Sequence, residues 1–92
     1  PTVYHPGAEI ADSMIADDCE IEGTVINSVL FRGVKVAKGA VVSNCVLFRG
    51  TSVGEGATLN CIVADKDVQI TDGVTLSGHE NMPFYIQKNR KV

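Results

Sequence analysis

Residues 27–57, NSVLFRGVKVAKGAVVSNCVLFRGTSVGEGA, write one phrase twice. NSVLFRG from Asn27 returns as NCVLFRG from Asn44, and VAKGA from Val36 returns as VGEGA from Val53, both 17 residues on. A period near 17 suits one coil of a β-solenoid, because helical repeats run to about 33 residues or more. Working outward, SMIADDCEI from Ser13 aligns with SVLFRGVKV from Ser28, and ITDGVTL from Ile70 aligns with VGEGATL from Val53. The copies begin at Ser13, Ser28, Cys45 and Cys61, spaced 15, 17 and 16 residues apart, and GAEIAD from Gly7 reads as the tail of an earlier coil.

Within each copy a small residue and an aliphatic one recur two apart, which places both on the same side of a strand. Ser13/Ile15, Cys19/Ile21, Thr24/Ile26, Ser28/Leu30, Cys45/Leu47, Ala57/Leu59 and Cys61/Val63 are such pairs, and they are expected to face inward. Three pairs per coil imply three short strands and a triangular cross-section. Leu47 should therefore lie between Leu30 and Val63. Corners fall at Gly33, Gly39, Gly50, Gly56 and Gly73, with Asn27, Asn44 and Asn60 as the other residues that tolerate positive φ.

The residue between each pair points outward and distinguishes three faces. Glu20, Lys35, Ser52 and Gln69 read as a solvated row, while Glu9, Val25, Val41, Thr58 and Thr75 are mostly β-branched. The third row is Met14, Val29, Val46 and Ile62, with Phe31 and Phe48 at the following corner. An apolar stripe of this length marks a candidate interface.

The chain has 92 residues, a net charge of −3 and a pI near 5.2, so it carries no basic footprint for nucleic acid. No apolar run approaches the ~18 residues of a membrane span, and no signal peptide is evident. Three cysteines without secretory context point to a reducing cytosol, hence a cytoplasmic location, rather than to a disulfide framework. A small chain of this size gains stability by stacking coil on coil. The first residue is proline, which suggests a piece of a longer chain.

Aliphatic positions six apart (Leu30, Val36, Val42 and Leu47, Val53, Leu59) resemble the hexapeptide repeat of the left-handed parallel β-helix. The hand comes from that resemblance, since physical rules alone favour right-handed crossovers. The expected fold is all-β, a single-stranded left-handed parallel β-helix of about four to five coils. One domain, 1–92, would hold coils over 7–76, a loop at 77–83 and a capping strand segment at 84–92.

NSVLFRGVKVAKGAVV, followed by GEGATLNCIVADKDVQI and a loop ending at Pro83, resembles the C-terminal domain of bacterial glucose-1-phosphate adenylyltransferase, also called ADP-glucose pyrophosphorylase. More narrowly it is similar to the glycogen biosynthesis protein GlgD type of subunit. The resemblance implies a parent whose N-terminal catalytic domain, not present in this stretch, makes ADP-glucose and pyrophosphate from ATP and glucose 1-phosphate with Mg2+. It also implies a β-helix that packs on its own catalytic domain and on neighbouring subunits of a tetramer containing the catalytic subunit, with a sugar-phosphate effector near the domain junction. No catalytic, cofactor or metal residue carries over.

The alternative is a hexapeptide-repeat acyl-CoA-dependent acyltransferase, for which His79 would be the base. His5 and His79 are the only histidines and read as exposed loop residues. Cys45 and Cys61 read as a buried inert pair in equivalent slots of adjacent coils. Asp17, Arg32, Arg49 and Asp65 are expected to share a corner as a solvated ladder, with an anion contact through Arg32 and Arg49 as the other reading. Lys88, Arg90 and Lys91 form a basic tail that offers a phosphate contact.

Overall fold

The computed structural model describes all residues, 1–92. Fifteen strands of two or three residues fall into three parallel sheets. The strands are β1 Val3–Tyr4, β2 Glu9–Ala11, β3 Met14–Ile15, β4 Glu20–Ile21, β5 Thr24–Ile26, β6 Val29–Leu30, β7 Lys35–Val36, β8 Val41–Ser43, β9 Val46–Leu47, β10 Ser52–Val53, β11 Thr58–Asn60, β12 Ile62–Ala64, β13 Gln69–Ile70, β14 Thr75–Ser77 and β15 Phe84–Ile86. Each strand pairs with those three before and three after it, giving the orders β1-β4-β7-β10-β13, β2-β5-β8-β11-β14 and β3-β6-β9-β12-β15. The chain winds as a three-sided solenoid, consistent with the expected left-handed hexapeptide-repeat β-helix.

Short strands suffice because their backbone N–H and C=O groups pair with the coils above and below, as Val29 N–H does with Cys45 O and Phe31 N–H with Leu47 O. The core is a column of stacked side chains: Ile21, Val36, Val53 and Ile70 on one side, Val25, Val42 and Leu59 on the second, Leu30, Leu47 and Ala64 on the third. Burying a Val, Leu or Ile side chain contributes about 1.5–3 kcal/mol. Thr51 is fully buried and donates its hydroxyl to the Asp65 carbonyl, and the buried Ser28 donates its own to the Ile26 carbonyl, so both polar side chains in the column are satisfied.

Two interior pairs differ from expectation. Val25 is fully buried and Ile26 is 40 % exposed, so the second coil uses Gly23/Val25 rather than Thr24/Ile26. The cause is a shortened corner: residues 5–8 join β1 to β2 and 37–40 join β7 to β8, whereas only Glu22 and Gly23 join β4 to β5. That corner is drawn in beneath the next one, and a Cβ on Gly23 would lie 2.4 Å from the Ala40 carbonyl oxygen. Only glycine fits there.

The second difference lies at Cys61. Ile62 and Ala64 are the inward residues, both fully buried, and Val63 points outward in register with Val46. The fourth copy therefore begins at Ile62, 17 residues after Cys45, and not at Cys61. Cys61 occupies the left-handed corner (φ 56°) that Asn27 (48°) and Asn44 (54°) occupy below it, while Asn60 is extended in β11. The five glycines expected at corners all have positive φ.

Candidate functional site

The third face is formed by β3, β6, β9, β12 and β15. Its outward row is Met14, Val29, Val46, Val63 and Tyr85, because the register pairs Met14 with Val29, Val29 with Val46, Val46 with Val63 and Val63 with Tyr85. Ile62, expected in this row, is interior instead: the one-residue slip that carries Cys61 to the corner turns Ile62 inward. Val63 takes its place, and a strict 17-residue period from Val46 would have found it. Met14 is 72 % exposed and Tyr85 51 %, while the three valines are half-buried by one another.

Phe31 and Phe48 stand one above the other beside this row, edge to face, with ring centroids 5.0 Å apart. At the N-terminal end Met14, Ile15, Ala16, Val29, Leu30 and Phe31 line an open, wholly apolar groove of about 450 Å³. At the other end the aromatic slot passes to Asp65, whose carboxylate accepts a hydrogen bond from the Tyr85 hydroxyl. That bond holds the Asp65 carboxyl below its usual range, helped by the Lys66 backbone N–H, and pushes the Tyr85 phenol up.

The basic corner next to this face differs from the expected ladder. The coil-to-coil bonds Gly33 N–H to Asp17 O, Gly50 N–H to Arg32 O, Asp67 N–H to Arg49 O and Asn89 N–H to Lys66 O stack Asp17, Arg32, Arg49, Lys66 and Lys88 in one slot. Asp65 belongs to the aromatic slot, for the same reason that Val63 rather than Ile62 faces out. The corner is thus a ridge of Arg32, Arg49, Lys66 and Lys88 with an acid at one end. Arg32 pairs with Asp18 at 3.3 Å rather than with Asp17, and both groups are exposed. Arg90 and Lys91 lie apart from the ridge, on the C-terminal turn, where Lys91 bridges Gln69 and Arg90 reaches Gln87.

All three cysteines are free and buried. Cys45 shares its slot with Ser28 and Ile62, so Cys45 and Cys61 are not in equivalent positions. Burial pushes the Cys45 thiol up to about 11, which keeps it protonated and unreactive at neutral pH. His79 is exposed in a short hairpin, bridged to Met82. His5 is not a free loop residue: its Nε2 lies 2.8 Å from Glu20 Oε2, in the next coil.

Three parallel sheets, paired inward positions and an exposed apolar face define a hexapeptide-repeat β-solenoid. The chain belongs to the GlmU-like, C-terminal hexapeptide family, which it matches over residues 4–82. Among curated proteins it is similar to glycogen biosynthesis protein GlgD of Geobacillus stearothermophilus, 62 % identical over 42 residues that cover 46 % of this chain and 12 % of that protein. It is also similar to glucose-1-phosphate adenylyltransferase of the same organism, 52 % identical over 42 residues covering 46 % of this chain and 11 % of the relative. The chain spans a small fraction of the length of the curated relatives it matches. Among solved structures, the acetyltransferase domain of PglB from Neisseria gonorrhoeae FA1090 superposes with a TM-score of 0.58 over 97 % of this chain and 55 % of that one. At 20 % identity that likeness is one of fold alone.

Proposed function

We propose that the chain is the non-catalytic β-helix domain of a glucose-1-phosphate adenylyltransferase-like subunit in cytoplasmic glycogen biosynthesis, and that its work is packing. The observation that carries this reading is the outward row Met14, Val29, Val46, Val63 and Tyr85 flanked by Phe31 and Phe48. A chain that sets Glu20, Lys35, Ser52 and Gln69 outward on one face has no solvation reason to set valines and aromatics outward on another. The apolar face fits the parent's own catalytic domain or a neighbouring subunit, with the chemistry and its Mg2+ in that catalytic domain. Similarity to both a GlgD and an adenylyltransferase supports a subunit that assembles with a catalytic partner and modulates it. The ridge of Arg32, Arg49, Lys66 and Lys88 beside the apolar face suits a sugar-phosphate effector held near such an interface.

The test is assembly of the full-length parent. Val29→Lys with Val46→Lys leaves the coil folded, because both side chains point outward, but should shift the parent from tetramer to smaller species on size-exclusion chromatography with light scattering and blunt its response to effectors. An unchanged tetramer with normal regulation would remove this face from consideration.

A further inference from the structure

The shortened Glu22–Gly23 corner places three ligand-type side chains together. Tyr4 stands in register with Ile21, so His5 and Glu22, the next residue on each strand, are neighbours on stacked coils. Glu20 lies two residues before Glu22 and projects to the same outward side. A ring nitrogen of His5 and one carboxylate oxygen from each glutamate all lie within 4.8 Å of one another. His5 pairs with Glu20, but Glu22 takes part in none of the four ion pairs, and Lys35, the residue in register with Glu20 on the far side, closes none either. Two carboxylates thus share one imidazole, and the second carboxylate has no cation of its own.

We propose that His5, Glu20 and Glu22 form a site for a late first-row divalent cation, Zn2+ before others, which clamps the first coil to the second. One imidazole nitrogen with two carboxylate oxygens suits Zn2+, Co2+ or Ni2+; Mg2+ and Ca2+ favour oxygen-only shells. Ligand bonds of about 2.0–2.2 Å require the three atoms to close inward, and none of the three side chains is buried, so each has room to rotate. Water fills the remaining positions. β1 is an edge strand with β4 as its only partner, so a metal bridging His5 to Glu20 and Glu22 ties down the coil with the fewest other restraints.

The experiment is calorimetric titration of the chain with Zn2+, Ni2+ and Mg2+, alongside thermal melts and histidine side-chain NMR. The expected result is one Zn2+ per chain, a raised melting temperature, perturbed His5 resonances and no comparable binding of Mg2+. Substituting even outer-shell partners of a metal typically costs about 10- to 100-fold in affinity, so Glu22→Gln, which keeps the His5–Glu20 pair, should lose at least about tenfold. His5→Ala should abolish binding and His79→Ala should leave it unchanged. Zn2+ affinity that survives both Glu22→Gln and His5→Ala, or that depends on His79, would overturn the proposal, as would the absence of Zn2+ binding by the unsubstituted chain.

Discussion

The coils from Ser28 to Leu59 and the passage 60–64 solve the same packing problem in opposite order. In the former, inward pairs run small then large, as in Ser28 before Leu30, Ala40 before Val42, Cys45 before Leu47 and Ala57 before Leu59, or equal, as in Val34 and Val36, and never large then small. In the latter the pair is Ile62 before Ala64, both fully buried, so the large side chain stands over Cys45 and the small one over Leu47. The difference teaches that a stacked coil constrains the backbone register and the total volume of a layer, and leaves the distribution of that volume between two neighbouring slots free. An extra methylene in one slot is offset by a missing one in the other.

The largest expected effect lies in the regular coils. Leu47 is fully buried with Leu30 below it and Ala64 above, where the small-then-large pattern had placed Val63. Leu47→Asp buries a carboxylate with no cation in the column, costing several kcal/mol against a total stability of about 5–15 kcal/mol. Loss of the folded circular dichroism signal at 25 °C is the expected outcome; a melt within a degree or two of the parent would show that this face is not interior.

The reversed passage is tested by a pair of neighbours. Ile62→Ala should cost about 2–5 kcal/mol, as truncation of a buried aliphatic does, and Val63→Lys should stay within about 0.5 kcal/mol as an outward change. Denaturant unfolding of both variants decides between registers, because the alignment that starts a copy at Cys61 predicts the opposite ranking. A double variant, Ile62→Cys with Ala64→Leu, restores the small-then-large order. It should be more stable than the sum of its single changes, a coupling that only residues sharing one layer show.

A smaller change, and one in the stabilising direction, is expected at the corner. Cys61 sits at φ 56° between strands, where the two coils beneath use asparagine. A left-handed conformation costs an ordinary L-residue about 1–2 kcal/mol, and asparagine relieves part of it. Cys61→Asn should therefore raise stability by up to about 1 kcal/mol in the same denaturant assay. It would also set another amide beside the chain in which Asn27 donates to Asn44 and Asn44 to Asn60. A destabilised variant would mean that the thiol's packing outweighs the backbone strain.

The repeat was legible wherever local chemistry and period agree. Gly33, Gly39, Gly50, Gly56 and Gly73 mark corners because a sharp bend needs positive φ, and the duplicated phrase sets the 17-residue step between Leu30 and Leu47. Period and local chemistry part company at Thr24/Ile26 and Cys61/Val63, where two residues of a corner are missing or a large and a small residue change places. A small-then-large rule applied to the side chains alone slips by one in both places, and in a strand a slip of one turns every residue to the other face. Ile62, Asp65 and the Cys45/Cys61 pairing were all misplaced by that single slip. In the sequence His5 has the look of a loop residue, because the residues that face it, Glu20 and Glu22, are 15 and 17 positions away.

By itself the sequence determined the class of fold, the length of the coil, the chemistry of the corners and the existence of an apolar face, because each follows from a period or from a residue's own conformational range. Only the tertiary structure decided which residue of an ambiguous pair turns inward, that Lys66 and Lys88 extend the arginine corner, and that His5 meets two glutamates. Those facts depend on which coil lies above which and in what register, and the stack fixes that register through hydrogen bonds between residues too far apart in the chain to show any local pattern.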